Sequence, residues 1–324
     1  MKKIVTIGGG TGHFALLSGL KKYPVELSAI VAMSDDGGST GQLRDEFGVL
    51  PPGDLRQCLI ALSSAPQVMR KLMGFRFEKG DLKGHNFGNI FISTLEMVTG
   101  SLDKALDLTG SILNIKGRVI PVTLDKVQLV AELNNGKVIQ GEDALGDYQL
   151  VSRFGVKKMY LSPKGDANPK ALTAIKEADM IVVGPGDIYT SLIPNFLVNN
   201  IGKAVIRSKA KKVFVVNLMN KHGHADDFDT ADYVHLLEKY LGNGKVFDTI
   251  IYNTKMPAQS VLKKYADEGE PVILNEAALK DYELIGANLL AGGLAKLSKG
   301  DKLHRVLIRH NPDALAELIM KCLA

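Results

Sequence analysis

Residues 3–23 run KIVTIGGGTGHFALLSGLKKY. A β-branched apolar run breaks at three glycines, and apolar residues then recur at helical spacing. That pattern predicts strand, glycine turn, helix. Gly10-Thr11-Gly12-His13-Phe14-Ala15 satisfies G-x-G-x-x-G/A in this setting. Glycines there let backbone N–H groups approach an anion at the helix N-terminus; a tight turn that needs close packing is the alternative, and the strand-to-helix setting favours the anion. No G-x-x-x-x-G-K-[ST] occurs, which excludes a P-loop NTPase.

The same rhythm continues outward. ELSAIVAM reads as a second buried strand ending in SDDGGSTG, and PPGDLRQCLIALSS as a helix entered through proline and aspartate. HNFGNIFISTLEMV reads as a buried helix, its apolar positions being dense. From about residue 117 to 159 the chain changes to short alternating runs, with Asn-Gly between VQLVAEL and KVIQGE as a hairpin signal. Strand and helix then alternate again. NPKALTAIKEA is a helix, DMIVV a strand, GPGDIYTS a loop, and SLIPNFLVNNIGKAVIRS helical despite Pro194. KKVFVVNL, TADYVHLLEKYLG and DTIIYN follow as strand, helix and strand. PVILNEA and DYELIGANLL read as short extended pieces, and a last helix is capped by Asn311 with Pro312 at its first position. The expectation is an α/β fold with a Rossmann-like, doubly wound, mainly parallel sheet. It divides into a first part of the core (1–116), a small β-rich insertion (117–160) and a second part of the core (161–324).

Composition narrows the function classes. The chain has 324 residues, a formal charge of +5, 45% hydrophobic residues and no run of apolar residues long enough to span a bilayer. No nucleic acid or membrane partner is expected: the charge is too weak, and with no tryptophan and 6% aromatics stacking platforms are thin. Two distant cysteines, Cys58 and Cys322, give no disulfide or metal spacing and fit a reducing cytoplasm.

In doubly wound folds ligands gather at the carboxyl ends of the strands, and the polar loops GGGTG, SDDGGSTG, GPGDIYTS and NLMNKHGHADD all follow predicted strands. Asp35 and Asp36 point to opposite sides of a strand end, so at most one faces a site. One carboxylate there would hold Mg²⁺ together with substrate phosphates, or the pair forms an Asx-type turn. Gly184-Pro185-Gly186-Asp187 leading to Thr190 and Ser191 makes a nest for a diphosphate. His85 and Asn86 open a helix, where Asn86 alone would serve as the cap. His222-x-His224 reads as a solvated loop rather than a metal site. Arg309-His310 reaches a phosphate or covers the sheet edge, and the lysine pairs at 157–158 and 211–212 read as solvated faces.

Several of these stretches together resemble the YvcK-type gluconeogenesis factors of the CofD-like superfamily: IGGGTGHFALLSGLKKYP, SDDGGSTGQLRDEFGVLPPGDLRQCLIALS, HNFGNIF, GPGDIYTSLIPNFLV, VVNLM and IRHNPDALA. The resemblance implies a Rossmann-like core with a small insertion and a cytoplasmic protein that binds UDP-sugars such as UDP-N-acetylglucosamine. It implies links to carbon metabolism and to cell shape or wall synthesis, with regulatory protein partners. The CofD branch implies instead 2-phospho-L-lactate transfer from a nucleoside diphosphate donor to the deazaflavin Fo, with Mg²⁺ and a homodimer. Position by position, it implies nucleotide-sugar contacts at Gly9, Gly10, Thr11, Gly12, Asp36, Gly37, Gly38, Ser39, His85, Asn86 and Asn89. It implies further contacts at Gly184, Gly186, Tyr189, Thr190, Ser191, Asn217, Tyr265 and Arg309. MNKHGHADDFDT departs from the family's usual T-x-x-GET-x-G-x-T stretch.

Three functions follow in order. The first is a non-catalytic nucleotide-sugar-binding regulator. The second is a transferase in which Asp36 is catalytic and holds the metal. The third is a nicotinamide oxidoreductase, which rests on the glycine fingerprint alone and finds no Tyr-x-x-x-Lys proton relay.

Overall fold

The computed structural model describes residues 1–145, 148–292 and 308–323. Seven parallel strands form the main sheet: β1 (Lys3–Gly8), β2 (Glu26–Val31), β3 (Arg118–Pro121), β7 (Met180–Val183), β8 (Lys211–Val215), β9 (Thr249–Asn253) and β10 (Glu283–Ala287). Between β3 and β7 lie β4 (Gln128–Leu133), β5 (Val138–Gln140) and β6 (Val156–Ser162), which make a separate antiparallel sheet in the order β5-β4-β6. The architecture is therefore the expected α/β Rossmann-like fold with a small β-rich insertion.

The main sheet runs in the order β10-β9-β8-β7-β1-β2-β3. β1 lies beside both β2 and β7, in register from Ile4↔Leu27 and Ile4↔Met180 to Ile7↔Ile30 and Ile7↔Val183. The chain winds one way from β1 to β3 and the other way from β7 to β10. The reversal falls between β1 and β7, and a crevice opens at the carboxyl ends of strands flanking such a switch point. The strands are continuous apolar runs because helices cover both faces: Ile4, Ile7, Ile30, Val182 and Phe214 are fully buried.

Local chemistry sets the helix ends. Asn311 Oδ1 accepts from the N–H groups of Asp313 and Ala314, as its position before Pro312 predicts. Asp229 caps helix Thr230–Leu241 through a reciprocal capping box with Asp232.

Several expectations are corrected. β3, inside the 117–160 stretch, pairs with β2 in the main sheet, so the antiparallel insertion starts at Gln128. The helix Phe87–Thr99 is amphipathic rather than buried: Ile92 is inside, while Met97 and Val98 are exposed. The GPGDIYTS stretch is not all loop, since Ile188–Leu192 forms a π-helical turn. The helical run around Pro194 is interrupted, but not by the proline, which sits in the first turn of Ile193–Leu197 where no N–H is needed. The break spans 198–200, where Val198 is extended and Asn200 has a φ of +71°, before helix Ile201–Arg207. PVILNEA forms no strand of the sheet; only Pro271 bridges, to Met219.

Candidate functional site

A cavity of about 630 Å³ opens at the carboxyl edge of the sheet and is lined from the ends of β1, β2, β7 and β8. That is the size of small-molecule sites in general. The four glycine-containing loops that follow predicted strands do converge there.

The β1 loop is built by close approach. A methyl at Gly12 would overlap the Pro185 carbonyl of the β7 loop, and one at Gly9 would overlap the Asp54 carboxylate. The Gly10 N–H donates to Asp54 Oδ2 at 2.9 Å. The helix Gly10–Leu20 thus begins against a carboxylate of this chain, at the position where the sequence predicts a bound anion. The β7 loop follows the same logic. Asp187 Oδ1 accepts from Tyr189 N at 3.1 Å and Thr190 N at 3.0 Å, so those N–H groups of the predicted nest are already bonded. Gly186 N donates to Asn217 Oδ1 at 3.2 Å, which ties the β7 loop to the end of β8. The β2 loop is more open. Gly38, with φ +48°, has free space where a side chain would stand, at the start of helix Gly38–Phe47.

Of the predicted contacts, Gly9, Gly10, Thr11, Gly12, Gly37, Gly38, Ser39, Asn89, Gly186, Thr190, Ser191, Asn217 and Arg309 line the cavity. The others have different placements. Asp36 is turned to the insertion, where its carboxylate accepts from Asp143 N at 2.9 Å and Gln128 Nε2 at 3.5 Å. Asp35 lines the cavity instead. Asn86 caps helix Phe87–Thr99 by accepting from Asn89 N at 3.2 Å, and His85 Nδ1 lies 3.4 Å from Ser39 Oγ. Gly184, with φ +75°, packs under Val215 O. Tyr189 is buried edge-on to the His224 ring, and Tyr265 is buried at the end of helix Gln259–Tyr265.

The cavity also holds residues that the motifs did not single out. Asp54 and Arg56 come from the PPGD helix. Glu142 comes from the short helix Glu142–Leu145 of the insertion, more than a hundred positions from the β2 loop it faces, and only the fold brings them together. Asp187 stood inside a quoted loop as an ordinary turn residue. His224 is buried, not solvated: Nδ1 lies 3.0 Å from Asp187 Oδ2 and Nε2 lies 2.8 Å from Leu145 O.

The acids differ in charge state. Burial, with Asp54 and Asp36 nearby, pushes Asp35 up to about 7 against the pull of the Gly37 N–H and Thr40. Burial, then Asp35 and Asp54, hold Glu142 well above the carboxylate range. Burial also acts on Asp187, but His224 and Lys221 more than offset it and carry that carboxyl well below its usual range. Burial lowers His310, at the β8 end of the cavity, to about 4, against a hydrogen bond to the Val216 carbonyl, so its ring is neutral at pH 7. Among the described residues no three His, Cys, Asp or Glu side chains are grouped so as to hold a metal ion by themselves.

The chain matches the family model described as 2-phospho-L-lactate transferase CofD over residues 4–290. It is 42% identical to a chain of Aquifex aeolicus over 330 residues, covering 100% of this chain and 98% of that one. A Bacillus subtilis relative named gluconeogenesis factor is 36% identical over 324 residues, covering 99% and 98%. A solved structure from Bacillus halodurans, of a member of the upf0052 family, superposes with a TM-score of 0.89 at 34% identity and 98% coverage of both chains. Matched nearly end to end by family model, relatives and structure alike, the chain belongs to the CofD family, among the gluconeogenesis factors.

Proposed function

We propose that the cavity binds a nucleotide sugar of the UDP-N-acetylglucosamine type and that the protein acts through this binding in carbon metabolism and in cell shape or wall regulation. The observation that carries this reading is the position and make-up of the cavity. It lies at the switch point, where doubly wound folds take nucleotides. Its middle offers Thr11, Thr190 and Ser191 hydroxyls and the open β2 loop to a diphosphate, and Lys221 and Arg309 stand at one end. As part of the same proposal the protein works in the cytoplasm as a homodimer with regulatory partners. Calorimetric titration with UDP-N-acetylglucosamine, against GDP as the control, tests it. Micromolar binding of the UDP-sugar that weakens in Thr190→Ala supports it, and no binding at millimolar ligand removes it.

A second reading, group transfer from a nucleoside diphosphate donor, is favoured by one observation. Asp35 and Asp54 line the same cavity next to Gly53, and Asp54 raises the cost of ionising Asp35. Two carboxylates with ligand phosphate oxygens suit Mg²⁺, which rarely has an all-protein cage. Bound there, the ion would neutralise charge on the phosphates. In this reading Asp35 and Asp54 take the role expected of Asp36. Turnover of a nucleotide-activated donor with Fo and Mg²⁺, lost in Asp35→Asn, would establish this reading in place of the first.

A further inference from the structure

The strand order also gives the cavity a direction. Its lining runs from β8 (Asn217, Leu218) across β7 and β1 to β2 (Gly37–Thr40), about 14 Å at the usual strand spacing. The reversal between β1 and β7 lies in the middle. The two ends differ chemically. At the β8 end stand Leu218, Met219 and the neutral His310 beside Arg309. Past the β2 end stand three cations, Arg56, Arg76 and Lys83.

The two arginines are held by hydrogen bonds, and Lys83 is exposed beside them in the lining. Arg56 is 6% exposed, and its Nε donates to Asn89 Oδ1 at 2.7 Å. Asn89 is itself buried and reaches Thr40 Oγ1 at 3.4 Å. Arg76 Nη1 donates to Gly84 O at 2.7 Å, next to Lys83 in the chain, and the Arg76 backbone bridges to that of Asn86. All three surround the start of helix Phe87–Thr99, whose dipole adds to their field. The acids of the cavity reach this side too: Asp143 stands against Gly37 and Asp35 against Gly53 and Thr40, while Asp54 lies against Gly9 and Gly10, so the cations offer an anion its place beyond the β2 loop.

We infer that the β2 end is a second anion subsite, which takes a carboxylate on the sugar of a nucleoside diphosphate sugar. This rests on the nucleotide reading above. With the base at the β8 end and the diphosphate at the switch point, the sugar meets Arg76 and Lys83. An arginine fork is suited to a carboxylate, which it can engage bidentately.

UDP-glucose and UDP-glucuronate differ only at C6, a hydroxymethyl in one and a carboxylate in the other. Their dissociation constants, measured calorimetrically at low salt, test the subsite. The wild type is expected to bind UDP-glucuronate about tenfold tighter, about 1.4 kcal/mol. In the double variant Arg76→Gln/Lys83→Gln that ratio falls to about one. Lys83 is exposed, so Lys83→Gln alone keeps the fold, and it is expected to cut the ratio by about threefold. Equal affinities in the wild type, or a ratio that both variants leave unchanged, overturn the subsite while the nucleotide reading stands. Failure of both ligands to bind overturns the nucleotide reading and the subsite with it.

Discussion

His224 links two parts of the cavity wall that are distant in sequence: its Nδ1 lies 3.0 Å from Asp187 Oδ2 and its Nε2 lies 2.8 Å from Leu145 O. Asp187 shapes the β7 loop by accepting from Tyr189 N and Thr190 N, and Leu145 belongs to the insertion. The carbonyl can only accept, so Nε2 carries a hydrogen. His224→Ala would remove the nearer of two basic groups beside the Asp187 carboxylate and leave Lys221, 3.7 Å away. Breaking a buried pair by removing one member costs about 3–5 kcal/mol. Urea unfolding of His224→Ala is expected to show a loss near the low end of that range, and His224→Gln, which keeps one donor, a smaller one. A loss under about 1 kcal/mol in the alanine variant would show that the bridge does not hold the wall.

Asp35 makes stability depend on pH in the direction opposite to an ordinary ion-paired acid. Its folded value of about 7 lies above the unfolded value of about 4, so between these the folded state holds the extra proton. Stability is therefore expected to fall as pH rises from 4 to 7, by no more than about 1.4 kcal/mol per unit from this group. Glu142, also raised, adds in the same direction. Asp187 has the reverse sign. Its folded value is depressed, so its contribution is complete above about pH 4 and is lost only in stronger acid. Unfolding midpoints across pH 5–8 are expected to fall in the wild type and to fall less steeply in Asp35→Asn. Identical slopes would remove Asp35 as the source.

The fold was legible because its signals are local. KIVTI, ELSAIV and MIVV are apolar runs that suit a sheet buried on both faces, and glycines mark where each run ends. The placement of the cavity followed from those ends. What the sequence did not carry was direction and long-range company. Which of Asp35 and Asp36 turns inward depends on the insertion, whose Asp143 N–H takes Asp36. Glu142 and His224 enter the wall through tertiary contacts with no motif of their own. The glycine fingerprint was visible, but not that Asp54 would occupy the Gly10 N–H.

Glycines in these loops serve two different needs, which alanine separates. Gly12 has no room: a methyl would overlap the Pro185 carbonyl, a backbone atom of the facing loop. Gly38 has room but a φ of +48°, which a side chain disfavours by about 1–2 kcal/mol. Overpacking against backbone costs about 1–3 kcal/mol or more, and here it also parts the β1 and β7 loops. Gly12→Ala is expected to lower both stability and ligand affinity, and Gly38→Ala to lower stability by about 1 kcal/mol. Thermal unfolding with and without UDP-sugar reads both effects. A Gly12→Ala protein with wild-type affinity would show that the two loops need not touch for binding.

Asp54 sets how charge enters the cavity. Its carboxylate accepts from Gly10 N at the start of a helix, adds to the cost of ionising Asp35, and stands where a phosphate would otherwise approach the glycine loop. A negative group there repels a diphosphate unless a cation lies between them. Asp54→Asn keeps an oxygen to accept from Gly10 while removing the charge. Without metal, the variant is expected to bind UDP-sugar more tightly than the wild type, by about threefold to tenfold for one charge at partial exposure. With Mg²⁺, the wild type is expected to gain affinity and the variant to gain little, because the carboxylate that shares the ion is gone. Titrations of both proteins with and without Mg²⁺ check the pair of outcomes. If Mg²⁺ helps the two proteins equally, Asp54 plays no part in holding a cation, and its place at the helix start is a matter of capping the β1 loop.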